Sequence, residues 1–240
     1  KAGLKSANKV VLVSSTIISP SMSYAISKLA ESVGADKFQH IQYDAVSYAG
    51  MREANMATFG KRVIPSYDFS KAKTIVSVGA DFLGSWLMGN AFAAQYGQRR
   101  DPDGKWMSKH YQFETNMSLT GTNADERIAV KPSEQGQAVL ALYNEIAKAK
   151  GESSVSAQKL SNAKSNGAIK EMAKDLLAAD GSIVVSNSND KNVQVVVNKI
   201  NDLLGNYGKT ISFANHSNQR QGDDKAVRQM IADMKAGKVD

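Results

Sequence analysis

Cysteine is absent from this chain of 240 residues. Its absence excludes disulfide bonds, thiolate zinc sites, cysteine-ligated iron–sulfur clusters and a thiol nucleophile within these residues. Histidine is also scarce, with only His40, His110 and His216. Their positions match no metal-binding spacing such as H-x-x-x-H or H-E-x-x-H. We therefore predict surface or hydrogen-bonded histidines rather than metal ligands.

The chain also lacks long apolar runs and long basic runs. No stretch approaches the roughly 18 apolar residues of a membrane-spanning helix, so no transmembrane segment is predicted. The net charge is +7, but the lysines are scattered along polar helix faces rather than clustered. Because a nucleic-acid interface needs basic residues grouped on one face, the pattern predicts a solvated basic surface and no nucleic-acid partner.

Apolar runs and amphipathic stretches alternate along the chain. Apolar residues at helical spacing predict several helices, among them 20–33, 47–59 and 84–96. Strands alternating with helices predict an α/β fold, in which helices cover both faces of a mostly parallel sheet in three layers. Short runs rich in β-branched residues, together with the segments MSKHYQF and RIAV, predict the strands, with the clearest runs at 10–13, 38–43, 74–78, 182–186 and 210–213.

A polar stretch, KAKGESSVSAQ, interrupts the alternation of strands and helices near residue 150. Small and polar residues of this kind are typical of a linker or surface connection. We therefore predict one α/β domain in residues 1–150 and part of a second α/β lobe in residues 151–240. The chain starts without an initiator methionine or a signal-peptide pattern and ends soon after a helix. We expect a piece of a longer polypeptide, with the second lobe truncated at its C-terminus.

The segment TIVSVGADFLGSW has the outline of a phosphate-binding turn, with a strand followed by two glycines. A P-loop would require Lys and Ser or Thr after the second glycine, where Ser85 and Trp86 stand. The dinucleotide fingerprint G-x-G-x-x-G also fails, because Asp81 occupies its second glycine position and its charge would repel a phosphate. The turn at Gly79 nevertheless follows the carboxyl end of a strand, where open α/β sheets place ligands.

Two polar loops also follow predicted strands. They are SNSNDKN, which contains Asn187, and FANHSNQRQGDD, which contains Asn218. Each loop is compatible with a turn followed by a helix cap, and each is compatible with a loop that faces a ligand. Both interpretations stay open at this point.

Four segments, in their order along the chain, resemble the catalytic subunits of the molybdopterin oxidoreductases, the dimethyl sulfoxide reductase and formate dehydrogenase superfamily. They are FGKRVIPSYDFSKAKTIVSVGADFLGSW, SLTGTNADERIAVKPSEQGQAVLALYNEI, VVSNSNDKNVQVVVNKINDLLGNYG and ISFANHSNQRQGDD. The segments GADFLGSWL, MSKHYQFETNMSLTGTNADERI and KPSEQ are similar, in particular, to the molybdopterin-like domain in the large subunit of bacterial alternative complex III. The resemblance implies the three-layer α/β fold of domains 1–3 of these enzymes.

The same resemblance implies that the molybdenum cofactor has been lost from this domain. Tyr43 or Asp44 stands where the metal ligand of the family falls, and Asp81 replaces a carboxamide that contacts the cofactor. No catalytic residue and no metal ligand are then expected, with Asp44 as the outside candidate for a ligand. The remnants of cofactor binding would be Gly79, Asp81, Asn187 and Asn218.

The function implied by the resemblance is that of a respiratory, membrane-associated quinol oxidoreductase subunit with a structural or interaction role. Its partners would be the other subunits of the membrane complex, including cytochrome c subunits, on the periplasmic side of the bacterial inner membrane. Iron–sulfur clusters would lie elsewhere in the full-length chain. Two alternatives stay open: an active molybdopterin guanine dinucleotide oxidoreductase with Asp44 as metal ligand, and an unrelated α/β domain that binds a sugar or small anion.

Overall fold

The structure is a computed structural model that describes residues 7–239. Within this range, β-strands and α-helices alternate along most of the chain. The strands are β1 (Val10–Ser14), β2 (Phe38–Gln42), β3 (Ile64–Tyr67), β4 (Thr74–Val78), β5 (Lys109–Glu114), β6 (Glu126–Ala129), β7 (Ser182–Ser186) and β8 (Ile211–Ser217). The helices are α1 (Pro20–Val33), α2 (Ala49–Phe59), α3 (Gly89–Gly97), α4 (Leu119–Thr122), α5 (Gln135–Lys150), α6 (Ala163–Ala178), α7 (Lys191–Leu203) and α8 (Asp224–Lys235).

The chain forms two compact units. The larger unit is Gly50–Ser217, and the smaller unit combines residues 7–49 with residues 218–239. The sequence-based boundary at residue 150 falls inside the larger unit. Helices α5 and α6 lie on either side of that boundary and share one hydrophobic core, in which Ile146 and Ile169 are both buried. The polar stretch between them is therefore a surface connection within one unit.

In the smaller unit, β1 and β2 pair in parallel, with Val10 opposite Phe38. Helix α1 begins where the sequence predicts, because the Ser19 hydroxyl accepts a hydrogen bond from the Met22 N–H and a proline occupies the first helical position. The helix ends at Gly34, whose φ of +114° favours glycine.

The larger unit contains two sheets. One is fully parallel, with the strand order β6-β5-β4-β7, and the other is an antiparallel pair of β3 and β8. The α/β fold with mostly parallel strands is therefore confirmed. Every residue of β4 and β7 is buried, as expected for strands of a parallel sheet covered on both faces.

Helices α5, α6 and α7 cover one face of the parallel sheet with a continuous apolar core. An aromatic cluster lies on the other side, where the rings of Phe69 and Phe82 stack with centroids 4.3 Å apart. Phe82 also contacts His110 of β5. Burial of these apolar surfaces supplies most of the favourable free energy of folding. The largest fully buried side chains of the helix-covered core are Tyr111, Phe113, Leu142, Ile146, Met172 and Leu176.

Side chains, rather than another strand, close the outer edge of β7. Asn201 of α7 accepts a hydrogen bond from the Val184 N–H at 3.1 Å and donates one to the Val184 carbonyl at 2.8 Å. Asn206 accepts from the Ser182 N–H at 3.3 Å, and the Thr210 hydroxyl donates to the Ser182 carbonyl at 2.6 Å. The backbone groups that a neighbouring strand would pair are therefore satisfied within the unit.

Candidate functional site

The turn after β4 brings together two of the residues predicted from the sequence. Gly79 has a φ of +73°, which favours glycine, and its N–H donates to the Phe113 carbonyl at 2.7 Å. A Cβ on Gly79 would lie 2.6 Å from Oδ1 of Asn187, the first residue after β7. Gly79 and Asn187 therefore meet at the carboxyl ends of β4 and β7, where the close contact leaves no space for a larger residue.

Asp81 joins this turn to helix α4. Its Oδ1 accepts hydrogen bonds from the Thr120 N–H at 3.1 Å and from the Thr120 hydroxyl at 2.8 Å. Its Oδ2 accepts from the Ser85 N–H at 3.1 Å. A Cβ on Gly84 would overlap the same Oδ2. Both carboxylate oxygens are thus engaged by donors of the protein itself.

These hydrogen bonds also determine the charge of Asp81. Burial raises the pKa of the carboxyl group, but the hydrogen bonds from Thr120 and Ser85 outweigh burial and hold the pKa below its usual range. The carboxylate is therefore ionised at neutral pH.

The sequence pattern predicts that helix α3 begins at residue 84, but in the structure it begins at Gly89. Residues 82–85 form a turn and residues 86–88 a bend, and the Asp81 carboxylate accepts a hydrogen bond from the Ser85 N–H. Leu87 has a positive φ of +51°, which no right-handed helix allows. The local hydrogen bond from Ser85 to the Asp81 side chain competes with helix formation, so the helix starts further along the chain.

A second carboxylate, Glu114, lies at the end of β5 and is only 3% exposed. It accepts hydrogen bonds from the Ser118 hydroxyl at 2.6 Å and from Nε of Arg127 at 2.5 Å. A Cβ on Gly121 would overlap Oε1 of this carboxylate. Burial raises the pKa of Glu114, and the bonds from Ser118 and Arg127 outweigh it and lower the pKa.

A buried polar chain runs along β5 from His110 to Glu114. His110 Nε2 lies 3.4 Å from Oε1 of Gln112, and Nε2 of Gln112 donates to Glu114 at 3.2 Å. The other ring nitrogen of His110 lies 3.2 Å from the Tyr96 hydroxyl. Burial lowers the pKa of His110 to about 4, so the imidazole is neutral at pH 7. The prediction of a hydrogen-bonded histidine is confirmed here, and the alternation in MSKHYQF is the signal that places these side chains on one face.

A small cavity lies near the carboxyl ends of β4 and β7. The cavity between the first turns of α5 and α7 has a volume of about 160 Å³ and is lined partly by Val139 and Val193. Pockets that bind small molecules usually measure roughly 300–1,000 Å³. Among residues 7–239, no three His, Asp or Glu side chains are grouped closely enough to hold a metal ion.

The other two predicted residues, Asp44 and Asn218, belong to the smaller unit. The carboxylate of Asp44 is buried and accepts hydrogen bonds from the Thr16 hydroxyl at 2.6 Å, the Thr16 N–H at 3.1 Å and the Gly222 N–H at 2.8 Å. Burial raises the pKa of Asp44, but these bonds and the charge of Arg220 outweigh it, so the pKa is lowered. Asp44 thus anchors the loop of residues 218–222 to the ends of β1 and β2.

This loop borders a cavity of about 300 Å³ within the smaller unit. Arg220 has a positive φ of +57°, uncommon for a residue other than glycine, and its side chain contributes to the lining. Asn218 is exposed at the start of the loop and lies outside this lining. Sequence reasoning missed Arg220 because a positive φ in a non-glycine residue has no composition signal.

No protein-family model and no curated protein match this sequence. Among solved structures, the fold is similar to that of a chain in the formyltransferase/hydrolase complex (FhcABCD) from Methylorubrum extorquens, whose X-ray crystal structure was determined in complex with methylofuran. The TM-score is 0.58 and the sequence identity is 17%. The match covers 98% of this chain and 60% of the other, so the chain spans less than two thirds of the matched chain. At this identity the likeness shows a shared fold.

This comparison corrects the family implied by the sequence motifs. The match is to a formyltransferase/hydrolase complex, so the assignments to the molybdopterin oxidoreductases and to alternative complex III are wrong. Each motif is a strand followed by a turn, and such turns recur in parallel α/β chains of many families because the topology requires them. The motifs therefore identified the topology and not the family.

The functional expectations that depended on that family are therefore corrected as well. A respiratory quinol oxidoreductase with electron transport as its role is wrong, and neither alternative is supported. The periplasmic side of an inner membrane is also wrong as the expected location. No helix in the described part of the chain is both long and apolar enough to cross a bilayer.

Proposed function

We propose that this chain is an architectural domain of a multi-subunit enzyme complex related to formyl transfer, where it contributes binding surfaces for neighbouring subunits. The fold supports this proposal, because the matched chain belongs to a formyltransferase/hydrolase complex. The single observation that carries the architectural role is the occupied carboxyl end of the parallel sheet.

Open α/β sheets usually bind ligands at the carboxyl ends of their strands. Here that position is occupied by Asp81 and Glu114, whose oxygens accept hydrogen bonds from neighbouring N–H and hydroxyl groups. The glycines at 84 and 121 leave only enough space for these carboxylates. A ligand would have to displace two ionised groups from their donors, and each such hydrogen bond contributes about 1.5–3 kcal/mol. The network therefore favours structural stability over ligand exchange.

The first experiment isolates the full-length protein from its native source through two independent purification steps. We expect other subunits to remain bound in a fixed ratio, and the purified assembly to transfer formyl groups. A protein that elutes as a monomer without a stoichiometric partner would overturn the proposal, as would an assembly with no formyl-transfer activity.

Two variants separate an architectural from a catalytic role. Asp81→Asn and Glu114→Gln should lower the yield of the assembled complex, while the activity per mole of assembled complex should stay unchanged. The exposed Asp103→Asn is the matched control and should leave the yield unchanged. A fully assembled variant with a reduced kcat would assign chemistry to the carboxylate and contradict the proposal.

A further inference from the structure

A concave surface of the larger unit lies where β4 and β7 begin, at the end of the parallel sheet opposite to Gly79. Its volume is about 280 Å³, which is near the lower limit of the roughly 300–1,000 Å³ usual for small-molecule pockets and suits a small charged group. The surface, called the Trp106 pocket here, is formed by segments that precede these two strands and by the loop after α3. The side chains that matter for its chemistry are Lys71, Lys73, Arg99, Trp106, Asp180 and Lys209.

Trp106 makes cation–π contacts with two of the cationic side chains, Arg99 and Lys73. The guanidinium of Arg99 lies 4.3 Å from the centre of the indole ring, and the ammonium of Lys73 lies 6.0 Å from the same centre. Nε of Arg99 also donates to the Ser70 carbonyl at 2.6 Å. Because one Arg99 nitrogen is bound in this way, the planar group is held in place with its remaining N–H donors available to a ligand.

The backbone beneath the lysines is fixed as well. Gly181 has a φ of +93°, and a Cβ there would lie 2.6 Å from the Lys71 carbonyl oxygen. The Lys73 N–H donates to the Gly181 carbonyl at 2.9 Å. Lys71 and Lys73 therefore belong to one rigid segment just before β4, in which the buried Ala72 lies between them.

Positive charge in the pocket is only partly compensated. Four cationic side chains line it against one carboxylate, that of Asp180. Asp180 is 84% exposed and lies 3.6 Å from Lys209, so the pair is loose. Outside the lining, Asp68 pairs with Lys71 at 3.1 Å. Lys73 and Arg99 make no ion pair within residues 7–239.

We infer that the Trp106 pocket binds a small ligand through a diphosphate group. Each phosphate of a diphosphate group carries at least one negative charge at neutral pH, which matches the two cations without a carboxylate partner, Lys73 and Arg99. The planar donors of Arg99 suit bidentate binding of phosphate oxygens, and the lysines act as point charges around them. The inference concerns a separate surface and does not depend on the proposed function.

Trp106 provides the signal for the test. The chain has two tryptophans, and Trp86 is 2% exposed within the aromatic cluster, whereas Trp106 is partly exposed in the pocket. The full-length protein is titrated with inorganic pyrophosphate at low salt while tryptophan fluorescence is recorded. We expect a saturable change that is lost in Trp106→Phe. Isothermal titration calorimetry of Trp106→Phe reports whether binding itself persists.

Charge variants locate the site. Arg99→Gln and Lys73→Gln should each weaken pyrophosphate binding at least about tenfold, since each removes a charged hydrogen-bond donor. Lys170→Gln removes one exposed charge from α6 and is the matched control, which should bind as the parent does. An equal loss in all three variants would overturn the site, because it would show attraction to overall charge only.

The ligand series defines the chemistry. We expect pyrophosphate and a nucleoside diphosphate to bind at least about tenfold more tightly than sulfate at equal ionic strength. Binding of the nucleoside diphosphate alone would support the site and name the ligand class. No saturable response to either compound would overturn the inference. Tighter binding of polyglutamate than of pyrophosphate would also overturn it, in favour of a surface for an acidic protein segment.

Discussion

At the scale of single residues, Asp81 connects two segments through one carboxylate. Asp81→Ala removes the acceptor for Thr120 and Ser85, so the N–H and the hydroxyl proton of the buried Thr120 are left without an acceptor. We expect the free energy of unfolding to fall by about 2–3 kcal/mol, measured by urea denaturation. Asp103→Ala in an exposed turn is the control and should change stability by less than about 0.5 kcal/mol. Equal losses in both variants would contradict the role of Asp81.

His110 should make stability depend on pH in the weakly acidic range. Its pKa is lowered to about 4 in the folded chain, whereas the pKa of an unfolded histidine is about 6.5. Between these values the unfolded chain binds a proton that the folded chain does not. The free energy of unfolding therefore falls as the pH falls through this window, by at most about 1.4 kcal/mol per pH unit.

The measurement is the slope of unfolding free energy against pH between about 6.5 and 4.5. His110→Gln keeps a polar side chain and should reduce this slope. The exposed His216→Gln should retain the slope of the parent protein. A slope that is the same in His110→Gln and in the parent would refute the assignment.

At the scale of elements, two glycines should respond in opposite ways to alanine. Gly167 lies in the second turn of α6, exposed and with free space around its Cβ position. Gly167→Ala should stabilise the protein by about 0.5–1 kcal/mol. Gly181→Ala should destabilise it by at least about 2 kcal/mol, because φ is positive and the Cβ would meet a backbone oxygen. Thermal and urea unfolding of both variants, side by side, provide the check.

The side-chain cover of β7 can be tested through Asn201. Asn201→Ala leaves the buried N–H and carbonyl of Val184 without partners, so we expect a loss of about 2–4 kcal/mol. Hydrogen exchange of the Val184 amide should accelerate in the same variant. Asn192→Ala, exposed on the same helix, is the control and should leave both measurements unchanged. Protection of Val184 that survives in Asn201→Ala would rule out this role.

The elements differed in how well the sequence predicted them. Strands with local β-branched runs, such as β4 and β7, are confirmed because burial on both faces leaves a continuous apolar pattern. Strand β3 was not predicted, and β8 extends to Ser217, beyond the predicted end. These two strands pair with each other across more than 140 residues, as Ser66 does with Ser212. No short segment of the sequence contains both strands, so their pairing could not be predicted from local patterns.

In the candidate site, too, local patterns predicted the positions of residues after strands but not their contacts with residues far away in the sequence. The positions of Gly79 and Asn187 after strands were sufficient to place both at one edge of the sheet, and the structure brings them into contact. The partner of Asp81, Thr120, lies 39 positions away and could not be identified by spacing. Glu114 was missed as an anchor for the same reason, because its Arg127 partner is on the next strand.

At the scale of the whole molecule, the larger unit is one continuous segment. We expect a polypeptide of residues 50–217 to fold by itself, because it contains the parallel sheet, the helices that cover it and the β3–β8 pair. Circular dichroism and a cooperative urea transition would show this. A polypeptide of residues 50–150 lacks β7, α6 and α7, and should remain unfolded since its core is left open. If the shorter polypeptide folds and the longer one does not, the division into these units is incorrect.

The side-chain cover on β7 has a further consequence for how the sheet can be enlarged. An added strand at β7 would have to compete with amides and a hydroxyl that already occupy the backbone of that edge. Strand β6, at the other end of the sheet order, pairs only with β5 within residues 7–239. Growth of this sheet, by a partner chain or by a neighbouring copy, is therefore directional: it proceeds from β6, and β7 is its fixed end.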